Sequence, residues 1–235
     1  MLAILTRVLT GASGWYDRAM PIRDIYLIRH AQSEWNAAGR WQGMADPPLT
    51  ELGREQATSL AADFMVPDVT HVFCSTLKRA RETAAPLATM LGLPPIVDAD
   101  LCELDVGSWE GKTREQIATS DPGALEKFFR GEQGWVGGES YADHELRAER
   151  AAERLRRLPA GSTAVVVTHG GTIRALLLAL LELPHQHRWK FSGIGHTLVT
   201  HLQSGPNGLR LLGFNTPAGT NAQSALSDLQ SSSSL

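Results

Sequence analysis

Two short stretches carry the residue types that most invite chemistry. In "LIRHAQSEWN", residues 27–36, an apolar run stops at Arg29 and His30. In "VTHGGTIRAL", residues 167–176, a second apolar run stops at His169, followed by Gly170 and Gly171. A neutral imidazole is a nucleophile and a proton carrier that titrates near neutrality. A guanidinium presents a planar fork of donors shaped for phosphate, and glycines opening a helix let backbone N–H groups approach an anion. "STLKRARETA" adds Arg79 shortly after a third apolar run, and "CELDVGSWEG" adds Glu103. Together these residues predict an anion site. One imidazole attacks phosphorus, two arginines hold the oxygens, and Glu103 protonates the leaving alkoxide. Each residue alone says little, since a histidine closing a strand is more often a structural hydrogen-bonder. "HQH" at 185–187 has no partner at metal-ligand spacing and reads as structural.

Positioning these groups requires particular elements. Ile25–Ile28, "THVFC" at 70–74, "PIVD" near 95–98 and Ala164–Thr168 read as strands, with "HTLVTHL" and "LRLLGF" following later. Between them, "ELGREQATSLAADF" reads as a helix capped by Thr50, and "LKRARETAAPLATML" as one capped by Ser75, kinked at Pro86 and ended by Gly92. Further helices are expected over Tyr141–Leu158 and "TIRALLLALLEL". Central strands that are continuously apolar and alternate with helices predict an α/β fold, a three-layer α/β/α sandwich around a mostly parallel sheet. In such sheets ligands bind beyond the carboxyl ends of the strands. Arg29–His30, the Ser75–Arg79 stretch and His169–Gly171 all fall at that edge. Residues from about 112 to 140 mix short helical pieces with glycines and read as a lid inserted over one end of the sheet.

The 235 residues suffice for one sizeable core. A net charge of −3 gives no general attraction to nucleic acid or anionic membrane, and two cysteines make no disulfide framework. No apolar run reaches the length of a membrane span, so a cytoplasmic protein is expected. Residues 1–21 read as an extension before the domain, with Met20 a plausible start, and 215–235 as a disordered Ser-rich tail.

Five blocks, "LIRHAQSEWN", "STLKRARETA", "ELDVGSWEG", "GGES" and "VTHGGTIRAL", occur in this order. Together they resemble the histidine phosphatase superfamily, the phosphoglycerate-mutase-like family, over about residues 22–214. The resemblance implies a phosphohistidine mechanism without metal or organic cofactor. By position, His30 matches the nucleophile, Arg29 and Arg79 the phosphate-binding arginines, His169 the second histidine and Glu103 the proton donor. Asn36, Gln42 and Gly43 match positions lining the phosphate pocket, with Gly170 beside them, while Ser33 is a weaker match and Arg81 is expected outside the pocket. Ala31 stands where the motif usually has glycine, and His196 where relatives often carry asparagine; a structural role is expected for His196.

The block around Glu103 resembles the small-molecule phosphatase branch, which implies a phosphomonoesterase acting on a small phosphate ester. The alternatives are mutase-type phosphoryl transfer and a non-catalytic phospho-ligand-binding module, and the homodimer is one assembly the resemblance leaves open. Trp35, Trp41, Trp109 and Trp135, with Phe128 and Phe129, are expected near the crevice, packing the lid or stacking on substrate. Lys112, Arg114, Lys127 and Arg130 are cations of the lid segment that a second acidic group could meet, but Glu115, Asp121, Glu126 and Glu132 offset them, so the sequence leaves the substrate open.

Overall fold

The computed structural model describes residues 22–220. The expected extension and most of the expected tail therefore lie outside the described residues. Strands β1 (Ile22–Arg29), β2 (His71–Ser75), β3 (Ile96–Asp98), β4 (Ser162–Thr168), β5 (Val199–Gly205) and β6 (Gly208–Thr216) form one sheet in the order β3-β2-β4-β1-β5-β6. β5 alone runs against its neighbours. β6 continues through Thr216, past the residue where the tail was expected to begin.

The sequence "STAVVVT" explains why β4 sits at the centre. Every residue of it is buried, and β-branched side chains suit a strand covered on both faces. Successive side chains point to opposite faces, so Ala164 and Val166 join one core while Val165 and Val167 join the other. The first core is completed by helices α6 (Tyr141–Arg156) and α7 (Gly170–Leu180), through Ala148, Ala152, Leu155, Ile173, Leu176 and Leu177. The second is completed by α2 (Glu51–Asp63) and α3 (Lys78–Leu91), through Leu60, Phe64, Ala80, Ala84 and Leu87. These are the three layers predicted from the sequence.

Local signals worked unevenly. The Thr50 hydroxyl accepts from Gly53 N–H and caps α2 as expected. Gly92 ends α3 in the left-handed region, φ 67°, with Leu93 N–H returning to Ala88 O. Ser75 does not cap α3: the cap position is Leu77, and no side chain fills it. α3 also runs unbroken through Pro86. Its buried face holds it in place, while only one ladder bond is lost to the missing N–H.

The topology makes a crevice. The chain leaves β1 over one face through α2 towards β2, and leaves β4 over the other face through α7 towards β5. The adjacent strands β1 and β4 therefore send their connections to opposite faces, which opens a gap beyond their carboxyl ends. Register sets the floor of that gap. Arg29 pairs with Thr168 and Cys74 with Val167, and His30 N–H donates to Thr168 O at 2.8 Å. His30, Ser75 and His169 thus end at one level.

Candidate active site

Beyond these strand ends lies a pocket of about 650 Å³ lined by Arg29, His30, Asn36, Gln42, Gly43, Arg79, Glu103, Gly170 and Gly171, among others. His30 is buried, with its ring centroid 5.1 Å from that of His169 and 5.6 Å from that of His196. His30 Nδ1 lies 2.7 Å from Ala31 O. A carbonyl only accepts, so Nδ1 carries the proton and Nε2 keeps its lone pair. Burial pushes the His30 pKa well below its ordinary value, and the positive charges of Arg29 and Arg79 push it further. The ring is thereby neutral at physiological pH.

The arginines are fixed through backbone carbonyls. Arg29 Nη1 donates to Ile194 O at 2.6 Å. Arg79 donates from Nη1 to Ala45 O at 2.7 Å and from Nη2 to Gly43 O at 2.9 Å. Burial lowers the pKa of both, that of Arg29 to about 10, which leaves the guanidinium charged at neutral pH. The Nε atoms of both are buried without a partner among the described residues, as is His169 Nδ1. Unpaired buried polar atoms are costly, and here three of them cluster around one imidazole.

Asn36 and Gln42 show how neutral donors are aimed. Ser33 Oγ lies 2.9 Å from Asn36 Oδ1 and 2.7 Å from Gln42 Oε1. With both amide oxygens turned to the buried Ser33, the amide nitrogens are left for the pocket. Gly43 has φ +54°, and a Cβ there would lie 2.6 Å from Glu110 Oε1 and 2.9 Å from Val106 Cγ2. No other side chain fits that turn, and the turn delivers the carbonyl that holds Arg79.

Glu103 comes from the segment after β3. Its Oε2 accepts from Gly171 N–H at 3.1 Å, and its Oε1 from its neighbour Leu104 N–H at 2.9 Å. Gly171 N–H is therefore committed to Glu103, and the first-turn donor left for an anion is that of Gly170. A Cβ on Gly171 would lie 2.4 Å from Glu103 Oε1. The segment itself is tied down by side chains on β4, α6 and α7. Arg147, paired with Glu139 at 2.7 Å, donates to the carbonyls of Asp100, Cys102 and Glu103. Thr172 donates to Cys102 O, and Thr168 to Leu101 O, each at 2.6 Å. Glu139 is the acidic residue of "GGES". It lies outside the pocket and serves through Arg147.

Ser75, expected to be a helix cap, lies 2.8 Å from His169 Nε2. Reading it as a cap missed this contact, because only the pairing of β2 with β4 brings residue 75 to residue 169. The short range gave no signal for Arg147 either. His196 Nδ1 donates to His30 O at 3.0 Å, and burial drops its pKa to about 4. The adjacent Thr197 N–H donates to Arg29 O at 3.0 Å. Arg81 is exposed and lies outside the pocket, as expected.

The lid differs from expectation in how it is attached. Helices α4 (Arg114–Ser120) and α5 (Ala124–Phe129) carry an aromatic cluster that extends well beyond residues 112–140. Trp109 meets Trp41 at 4.9 Å and Trp135 at 5.5 Å, while Phe128 meets Trp41 and Trp189, each at 5.0 Å. Trp41, Phe128, Phe129, Tyr141 and Trp189 line the pocket wall; Trp35 instead packs near Gly111. Of the four cations expected on the lid, only Arg114 lines the pocket, and Arg130 is paired with Glu126 and Glu132. His185 of the "HQH" stretch is 2.7 Å from Glu145. Among the described residues no three His, Cys, Asp or Glu side chains are placed to hold a metal ion, and no helix is long and apolar enough to cross a membrane.

The fold and this geometry agree with what the chain is similar to. The profile of the histidine phosphatase superfamily (branch 1) matches residues 25–217. The chain belongs to that superfamily. It is 36% identical over 162 residues to the probable phosphoglycerate mutase GpmB of Photorhabdus laumondii, a match spanning 68% of this chain and 75% of that one. Among solved structures it is similar to a mycobacterial glucosyl-3-phosphoglycerate phosphatase, at 32% identity and a TM-score of 0.73 over 83% of this chain and 99% of that one. A putative alpha-ribazole-5'-P phosphatase from Escherichia coli has 26% identity and a TM-score of 0.75 over 84% of this chain and 98% of that one.

Proposed function

We propose that this chain is a metal-independent phosphomonoesterase acting on a small phosphorylated metabolite through a phosphohistidine on His30. The observation that carries the reading is the state of His30. Its Nδ1–H is tied to Ala31 O, and its free Nε2 lies in a pocket that Arg29 and Arg79 also line. Nε2 attacks phosphorus, and the P–O bond to the alcohol breaks as the N–P bond forms. Arg29, Arg79, His169 and the Gly170 N–H hold the three peripheral oxygens while charge redistributes. Glu103, in its protonated form, gives its proton to the departing alkoxide. The resulting carboxylate then takes a proton from water, whose oxygen attacks the phosphohistidine and releases inorganic phosphate.

A second reading, phosphoryl transfer back to a bound alcohol, is favoured by the relatives named as phosphoglycerate mutases. The phosphatases among the solved structures, similar over 83% and 84% of this chain, favour hydrolysis. The test is a panel of phosphorylated metabolites incubated with the protein, with released phosphate and isomerised product both measured. Stoichiometric phosphate release with no isomer is the expected result, unchanged by a chelator. Isomerisation without net release would overturn hydrolysis.

A further inference from the structure

The pocket carries more positive charge than one phosphoryl group requires. Six arginines line it, namely Arg29, Arg40, Arg79, Arg114, Arg174 and Arg188, against one carboxylate, Glu103. Arg29 and Arg79 belong to the phosphoryl cradle. Arg188 is neutralised outside the pocket by Glu145, at 3.0 Å, and serves as a floor under the Tyr141 ring, 4.6 Å away. Arg40 is committed through Nη1 to Gly111 O at 2.5 Å, and Arg114 lies over the Phe129 ring.

Arg174 is different. Its Nε donates to Phe191 O at 2.6 Å, and its guanidinium lies 5.4 Å from the centre of a Trp189 ring. The head group is thus aimed by a backbone carbonyl and an aromatic face. Among the described residues it forms no ion pair within 4.0 Å and no hydrogen bond from either Nη atom. Burial lowers its pKa and nearby Arg188 lowers it further, opposed by the Glu103 carboxylate and, more weakly, by Tyr141. A half-buried guanidinium with two uncommitted donors on a pocket wall is the arrangement an incoming anion relieves.

Its place sets a distance. Arg174 follows Gly170 by four residues on α7, one helical turn, which is about 6 Å along the axis. Both line the same pocket.

We propose that Arg174 binds a second acidic group on the alcohol portion of the substrate, so that preferred substrates are phosphate esters of short alcohols bearing another anion a few bonds from the phosphate. This subsite rests on the phosphatase reading above and narrows its substrate class. A carboxylate and a second phosphate share the chemistry that Arg174 recognises, and paired probes separate them. The first pair is 3-phosphoglycerate against glycerol 3-phosphate. The second is 1,3-propanediol bisphosphate against its monophosphate. The quantity read is the ratio of kcat/KM for the acidic ester to that for its less charged partner.

In the wild-type protein the ratio should be about 30 for at least one pair, equivalent to about 2 kcal/mol at 1.4 kcal/mol per tenfold. It should fall to within about threefold of unity in Arg174→Gln, and Arg174→Lys should recover part of it by keeping the charge without the Nε anchor. The pair that responds identifies the anion. Phosphate release without acid preference in the wild type, or a ratio that survives Arg174→Gln, would overturn the subsite while leaving the phosphatase reading intact. Absence of phosphate release from every ester, p-nitrophenyl phosphate included, would overturn both.

Discussion

The inner end of the pocket and its outer wall hold their groups by opposite means. At the inner end, His30, Arg29 and Arg79 are fixed by backbone carbonyls, those of Ala31, Ile194, Ala45 and Gly43. Ala31 lies just past β1, Gly43 and Ala45 in the turn built on Gly43 (φ +54°), and Ile194 in the segment leading into β5. The outer wall is assembled from aromatic side chains of separate segments, Trp41, Trp109, Phe128, Trp135, Tyr141 and Trp189, meeting edge to face. The first arrangement resists displacement because the backbone would have to move. The second depends on packing and accepts change in shape. On the proposed mechanism, the chemistry common to many substrates sits on the rigid part, and the adaptable part is left to discriminate between them.

Four experiments sharpen or break this contrast. The largest effect is expected from His30→Ala, which should cut hydrolysis of p-nitrophenyl phosphate by at least about 10⁴-fold with circular dichroism unchanged. Near-normal turnover would remove the rigid end from the chemistry altogether. Trp109→Ala should act the other way. Trp109 is only 2% exposed, and its loss should cost about 3–5 kcal/mol in urea unfolding, while kcat on p-nitrophenyl phosphate stays within about tenfold. A collapse of kcat in folded protein would mean the wall also positions the reacting groups.

Glu103→Gln should cost about 10²-fold or more on alkyl phosphates and much less on the activated aryl ester, whose leaving group needs no proton. Equal losses on both would rule Glu103 out as the acid. The last experiment concerns pH. Burial lowers the pKa values of His30, His144, His169 and His196 in the folded state. Below pH 6.5 the unfolded chain takes up protons that the folded chain refuses, so stability declines as pH falls. Each histidine contributes up to about 1.4 kcal/mol per pH unit. For His196 the decline ends near its folded value of about 4. Urea midpoints at pH 7.5 and 5.5 measure it; equal midpoints would show that these rings charge freely in the folded protein.

The rigid end was largely legible in the sequence because its residues are local to strand termini. An apolar run followed by Arg29–His30 or His169–Gly170 locates both the element and the polar group in one stretch. The layers followed from the same runs. What escaped depends on contacts between distant segments. Ser75 was read as a cap because its partner, His169, is ninety-four residues away. Arg147 looked like any helix-surface cation until α6 placed it against the carbonyls of the Glu103 segment. Trp41 was expected beside the lid of residues 112–140, but Tyr141 and Trp189, which complete the outer wall, were not. Side-chain packing of that kind leaves no periodic trace in the chain.

One detail beside β1 bears on how the molecule is made. The segment leading into β5 clamps the reactive dipeptide three times: Ile194 O takes Arg29 Nη1, His196 Nδ1 reaches His30 O, and Thr197 N–H reaches Arg29 O. Thr197 itself holds φ 55°, an uncommon conformation for a β-branched residue. All three clamps are encoded about 165 residues after the groups they hold. A nascent chain emerging from the ribosome can pair its first four strands and still present an unanchored guanidinium. Competence arrives with the final hairpin, which makes truncation near the carboxyl end a chemical lesion as much as a structural one.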